Sequence, residues 1–200
     1  MVVRRIGQHS RMGGFSLIEL LIAVLITGIV AAAAFHFYVQ MNQQVVTQQE
    51  ISDMQQLSRA TLQEMGKTLR MAGYMVPDHA PYRINGCSLA VYYSFTGNLN
   101  DVDSVLYYLE EFNEIEYLDV PHRPAGLHLY KVMKKVSSDP AETFSDFVTS
   151  IQYNVVNVDS SEVAITLEVQ TSRADEDYLE NDGFRRFVNT ERVNMRNANL

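Results

Sequence analysis

Residues 13–35 read GGFSLIELLIAVLITGIVAAAAF. An apolar run begins abruptly after two glycines, and its fifth residue is a glutamate, Glu19. From Phe15 to Phe35 the run holds 21 residues. At ~1.5 Å per residue a helix of that length reaches ~30 Å, the thickness of a bilayer's hydrocarbon core. A charge at the centre of a bilayer costs ~2.5–3.5 kcal/mol on insertion scales, and such residues are usually paired. Glu19 therefore needs either a partner or a position near enough the boundary to snorkel toward the headgroups.

The charges around this run are uneven. Arg4, Arg5 and Arg11 precede it with no acidic residue among them, and no Lys or Arg occurs from Met12 to Ser58. Basic residues on the N-terminal flank predict a cytoplasmic N-terminus, with the rest of the chain carried across. The whole chain has 200 residues and a net charge of −8, so no basic surface dominates and nucleic acid is not expected as a direct partner. An apolar content of 46% is that of a folded protein. The single cysteine, Cys87, closes no internal disulfide and makes no cysteine-based zinc site; it is expected to be a small buried apolar residue, the alternative being a thiol that pairs with a partner in an oxidising compartment.

Three fates are open to such an N-terminus. A secretory signal peptide would be cut after small residues, and AAAAF at 31–35 offers a site after Ala34. A plain anchor would stay uncut. The third fate follows from Gly14 and the residues after it: Phe15, Ser16, Leu17, Ile18, Glu19, Leu20 and Leu21. This string resembles the type III signal of type IV pilins and type II secretion pseudopilins. In that family a membrane-embedded aspartyl peptidase cuts after the glycine and methylates the new N-terminal amine. The resemblance implies a cleaved basic leader over 1–14, a cut between Gly14 and Phe15, N-methylation of Phe15, and Glu19 as an assembly contact. The physics agrees, because a Phe15 amine would stand four residues from Glu19, about one helical turn away. It could pair with the carboxylate of its own chain or of a neighbouring subunit.

No proline occurs between Met1 and Val76, so nothing removes a backbone donor from a helix that continues past the membrane. At 100° per residue, Ile51, Met54, Leu62, Met65, Leu69 and Ala72 fall in one narrow arc, with Ser58 its single polar member. The reading is a transmembrane and assembly half over 15–37 and an amphipathic half over 38–73. Gly73 serves as the stop, with Pro77 shortly after it.

Beyond Gly73 the period becomes strand-like. Strands are predicted over 88–95, 104–110, 126–134, 151–158, 162–171 and 184–195, rich in Val, Ile, Tyr, Phe and Thr. Turn signals separate them, and the absence of helical crossovers favours an antiparallel sheet. PAETFSDFVT at 140–149 is expected to be a short helix or an irregular edge, and the acidic stretch 173–183 a solvated loop. The fold class is α+β: a long N-terminal helix packed on an antiparallel sheet domain over 74–200, as in pilins. LRMAGY at 69–74, DSVLYYLE at 103–110 and RRFVNTERVNMRN at 185–197 resemble, in that order, the PilW-like minor pilins.

Searching for chemistry returns little. His9, His36, His79, His122 and His128 form no metal-ligand pattern, although His122 and His128 are near each other in sequence. There is no GxSxG, Walker loop or HExxH. Asp101 and Asp103 make a DxD in a loop that does not complete an EF-hand. No enzyme activity, cofactor or metal is expected. The resemblance implies a minor pilin that initiates or caps a type IV pilus. Its partners would be other minor and major pilins, the prepilin peptidase, the inner-membrane assembly platform and membrane lipid. It would sit as a single-pass inner-membrane protein with a periplasmic domain before it joins the filament. A type II secretion pseudopilin of the J type is the close alternative. A single-span periplasmic binding or sensor protein is the alternative of another class.

Overall fold

The computed structural model describes residues 15–76, 80–97, 102–113, 126–157, 161–175, 178 and 180–197. The chain divides into two compact units, Met1–Val46 and Thr47–Leu200. One helix, α1 (Leu17–Arg70), contributes to both.

In the first unit, α1 buries nothing: every residue from Phe15 to Val46 is exposed. In the second unit the same helix buries Met54, Ser58, Thr61, Leu62, Met65, Gly66, Thr68 and Leu69, and Ala72 just beyond it is buried too. The apolar stripe read from the sequence is thus the face that meets the sheet. Two threonines widen it. Thr61 and Thr68 return their hydroxyls to the carbonyls of Leu57 and Glu64, at 2.8 and 3.1 Å, and so enter the core with donors satisfied.

The helix ends at Arg70, and Gly73 then takes φ +74°. Its N–H donates to the Tyr92 carbonyl at 2.9 Å. A Cβ there would lie 2.9 Å from the Asn197 carbonyl oxygen and 3.0 Å from Pro81, so both the backbone angle and the space require glycine. Pro77 lies outside the described residues.

Seven strands form one antiparallel sheet whose order in space is its order in sequence: β1 (Tyr82–Asn85), β2 (Ser88–Tyr93), β3 (Asp103–Glu111), β4 (Tyr130–Val136), β5 (Glu142–Asn157), β6 (Glu162–Gln170) and β7 (Arg186–Asn194). This is the α+β arrangement expected from the sequence. Leu89, Val91, Val105, Tyr107, Val132, Ile151, Val163, Ile165, Leu167 and Val193 alternate along their strands onto one face. There they form a single core with Met54, Leu62, Met65 and Leu69 of the helix. A smaller cluster gathers Phe112, Leu129 and Phe184.

Two expectations change. The segment 140–149 is neither helix nor irregular edge, because Glu142–Asn157 is one continuous strand. Its first part pairs with β4 and its later part, from Val148, with β6. The change of partner occurs at a bulge, where Asp146 and Phe147 oppose the single residue between Tyr130 and Val132, and Phe147 takes φ +54°. The polar residues of 140–149 had hidden a strand whose alternation is broken by that extra residue.

Cys87 is exposed rather than buried. Asn85 pairs with Ser88, which leaves Gly86 and Cys87 as a two-residue hairpin loop. Gly86 has φ +57° at the first loop position, as a type II′ turn requires. The turn geometry places Cys87 at the tip of the hairpin. The short strand β1 before it had no signal of its own.

Within 173–183, the described residues Asp175 and Tyr178 meet Arg185. Arg185 donates to Asp175 Oδ2 from both Nε and Nη2, at 3.0 and 2.7 Å. Its guanidinium also lies over the Tyr178 ring, 4.7 Å from the centroid. Asn181–Gly183 forms a 3₁₀ turn.

Candidate assembly site at the start of the helix

Ser16 is the residue immediately before α1, and its carbonyl accepts the first turn's N–H groups from Glu19 at 3.0 Å and Leu20 at 3.2 Å. Counting from Ser16 as the N-cap, Glu19 is the third helical residue. Ser16-x-x-Glu19 is the spacing of a capping box, in which the two side chains can serve each other's backbone donors. The first turn of a helix leaves N–H groups without intrahelical partners and carries partial positive charge. A carboxylate there is stabilised by both. Glu19 is thus placed where a helix favours an acid, before any other subunit is considered. The spacing is legible in the sequence but is easily overlooked when Glu19 is read only against lipid.

The surface behind this turn is apolar on all sides. Phe15 is 85% exposed and Leu17 78%, and Ile18, Leu20, Leu21, Ile22, Val24, Leu25 and Ile26 are also exposed. Such a continuous surface is not that of a core helix, which would bury one face. Between Glu19 and His36 the only polar side chain is Thr27, and its hydroxyl donates to the Ala23 carbonyl at 2.7 Å. No unsatisfied hydroxyl is therefore carried into an apolar surrounding at that position. By length and composition this helix can cross a membrane once, and none of its most apolar window is buried.

Phe15 and Glu19 thus stand within one turn of each other at the start of this surface. Gly14 lies outside the described residues, as do Asp101, His9, His79 and His122. Asp103 is occupied structurally: it accepts from the Ser137 hydroxyl at 3.2 Å, and that hydroxyl also accepts the Ser104 N–H at 3.2 Å. His128 instead meets Glu111, with Nδ1 and Oε1 2.5 Å apart in an exposed pair. His36 is exposed on the helix. Among the described residues no three His, Cys, Asp or Glu side chains gather as a metal site would require.

Buried titratable groups occur in the sheet domain, and they are tyrosines. Burial pushes the Tyr107 hydroxyl up to about 12, opposed by its hydrogen bond with Thr68, while the nearby Glu64 charge pushes the same way as burial. Thr68 Oγ1 and the Tyr107 hydroxyl are 3.0 Å apart. Burial also raises Tyr153, whose hydroxyl has no hydrogen-bond partner. These groups sit in the core, not at a cleft, and give no reaction centre.

Residues 9–35 match the family model described as the prokaryotic N-terminal methylation motif. That motif fits type IV pilins and pseudopilins. No curated protein and no solved structure matches the chain.

Proposed function

We propose that this chain is a minor pilin of the PilW-like kind, which helps initiate or cap a type IV pilus. The observation that carries the reading is the methylation motif over 9–35, leading without interruption into a helix whose first unit buries none of its apolar residues. In this reading residues 1–14 are a leader, and the peptide bond between Gly14 and Phe15 is cut. While that bond is intact, the Phe15 nitrogen is an uncharged amide. Hydrolysis turns it into an ammonium group beside Glu19. The pair forms only after processing, so the carboxylate tests whether an incoming subunit has been cut. A subunit that leaves the carboxylate uncompensated in lipid bears a desolvation cost, which biases assembly toward correctly matched helices. The role is structural, with no step of substrate chemistry. Before assembly the helix would hold the protein in the inner membrane with the sheet domain in the periplasm.

Intact-mass and N-terminal peptide analysis of the protein purified from cells with and without a prepilin peptidase tests the first step. The expected mature chain starts at Phe15 and is heavier than the unmodified product by one methylene. A chain starting at Phe35 would show an ordinary signal peptide. An intact Met1 would show an uncut anchor. The second step is tested by Glu19→Ala: cleavage should proceed as in the wild type, while co-purification with other pilins is lost. Unchanged co-purification would remove Glu19 from the assembly contact.

A further inference from the structure

The sheet has two edges, and they are built differently. At one end β1 is four residues long and follows Pro81, which carries no backbone donor. At the other end β7 runs for nine residues, and all nine pair with β6 without a register shift. It contains no proline, no lysine and no bulge, the devices by which open edges are usually blunted. In an antiparallel edge strand every second residue turns its N–H and C=O away from the one neighbour. Among the described residues, no backbone group of another segment bonds to that outer side of β7. A row of donors and acceptors at this spacing is matched by another strand.

The side chains beside the edge say which strand. Arg186, Val188, Thr190 and Arg192 alternate onto the sheet face turned away from α1, and all four are exposed, Val188 by 58%. Thr190 is hydrogen-bonded to Thr166 at 3.0 Å, and Arg186 comes within 3.7 Å of Glu168. Arg192 has no ion-pair partner among the described residues. The one acid of β7, Glu191, lies on the opposite face and is met by Arg70 at 3.2 Å. In a chain of net charge −8 this edge is a local cationic site with Val188 and Thr190 between its two arginines. A second copy of β7 fits it poorly. Antiparallel pairing centred on Asn189 sets Arg186 directly opposite the second copy's Arg192. Centring on Thr190 makes the same two residues diagonal neighbours, and centring on Glu191 opposes two carboxylates. Like charges facing each other across strands are destabilising.

We propose that β7 receives, by strand addition, an extended segment of a different polypeptide, one with β-branched residues flanked by Asp or Glu on the same face. Acids opposite Arg186 and Arg192, six residues apart, complement the two cations. Backbone pairing supplies the affinity, and the alternate side chains supply the selection. The edge takes no part in the cut after Gly14, so its test stands apart from how the N-terminus is processed.

The test uses the full chain in nanodiscs of zwitterionic lipid and reads amide hydrogen exchange by mass spectrometry of its peptides. The probe is acetyl-Thr-Glu-Thr-Val-Thr-Val-Thr-Glu-Thr-amide, whose two acids share one face and the spacing of the arginines. A counterpart carries Lys in place of Glu. The acidic peptide should slow exchange over 186–194 and leave 103–111 unchanged, because β3 is already paired on both sides. Its affinity should exceed that of the basic peptide about tenfold and fall as salt rises. A form of the acidic peptide N-methylated at its three central residues keeps the charges but loses the donors, and should bind at least tenfold more weakly. Arg192→Glu should weaken the acidic peptide about tenfold and turn the preference toward the basic one, a reversal that damage to the fold would not produce. Equal affinity for the two peptides, equal binding of the N-methylated form, or no slowing over 186–194 would each overturn the proposal. So would slowing over 186–194 that appears without peptide as the protein is concentrated, because the edge would then belong to a second copy. Should Arg192→Glu not fold, Arg192→Gln gives the same reading with a smaller loss.

Discussion

The two halves of α1 share one secondary structure and face different solvents. From Leu17 to Val46 no side chain is buried, and apolar residues occur at every angle around the axis. From Thr47 to Arg70 the buried apolar residues keep to one stripe, and that stripe joins the core. Hydrophobicity alone does not distinguish a core helix from one that seeks lipid or other helices. Angular distribution does: a helix with one dry face needs one partner, and a helix with no wet face needs a surrounding that is apolar on every side. The comparison also separates two kinds of residue importance. In the lower half a side chain matters through what it touches within this chain. In the upper half the exposed apolar side chains matter through what comes from outside.

The most direct way to break this contrast is a pair of leucine truncations. Leu62 is 1% exposed and packs in the core, whereas Leu21 is 59% exposed. Leu62→Ala should lower the unfolding free energy of the sheet domain by about 2–5 kcal/mol, through lost burial and the cavity left behind. Leu21→Ala should leave it within about 0.5 kcal/mol of the parent. Urea unfolding followed by tyrosine fluorescence measures both. Equal losses would mean that the first half of the helix has a hidden partner within the chain.

Alkaline titration probes the lower half alone. The Tyr107 hydroxyl ionises near 10 in an unfolded chain and at about 12 in the fold. The folded state therefore holds its proton over a window in which the unfolded state has lost it. Stability from this group is fully present below pH 10 and is lost as pH rises through 12. The shift corresponds to about 2–3 kcal/mol. Tyr153, also raised by burial, acts in the same direction. Tyr107→Phe should flatten the alkaline loss and cost about 0.5–1.5 kcal/mol at neutral pH for the missing Thr68 hydrogen bond. Midpoints of urea unfolding between pH 8 and pH 11 give the curve.

How much of this could be read beforehand depends on the range of the interaction. The stripe of Met54, Leu62, Met65, Leu69 and Ala72 was legible because a helix repeats every 3.6 residues and the partner imposes no further condition. So was the need for glycine at position 73. Strands 162–170 and 186–194 were legible through alternation. The long β5 was not, because Asp146 and Phe147 break the alternation and the strand changes partner there. Cys87 was misplaced because average burial is a property of residue types, while its position follows from a turn of two residues. Ser16-x-x-Glu19 was present as a local spacing. A cleft lined by Asp53, Phe147 and Gln170 left no trace in the sequence, since those residues come from three separate elements.

The smallest test sharpens the contrast at its finest grain, because each half of the helix carries one interior glycine. Around Gly28 a Cβ would meet nothing within 4 Å. Around Gly66 it would lie 2.6 Å from Glu191 Oε1 and 3.3 Å from Val193 Cγ2. Alanine favours a helix interior over glycine by about 0.8–1 kcal/mol. At position 28 nothing opposes that gain, so Gly28→Ala should raise helicity in micelles and leave the sheet domain's unfolding unchanged. At position 66 the Glu191 carboxylate can swing aside, at the expense of its 3.2 Å contact with Arg70, an exposed pair worth about 0–1 kcal/mol. Val193 is wholly buried and has little freedom to yield, and overpacking of this kind costs about 1–3 kcal/mol. The steric cost at 66 exceeds the propensity gain, so Gly66→Ala should destabilise the domain by about 1 kcal/mol, read as a lower urea midpoint with an unchanged slope. A stabilising Gly66→Ala would mean that β7 can move away from the helix, and the lower half would then be less tightly committed to its sheet than its buried stripe implies.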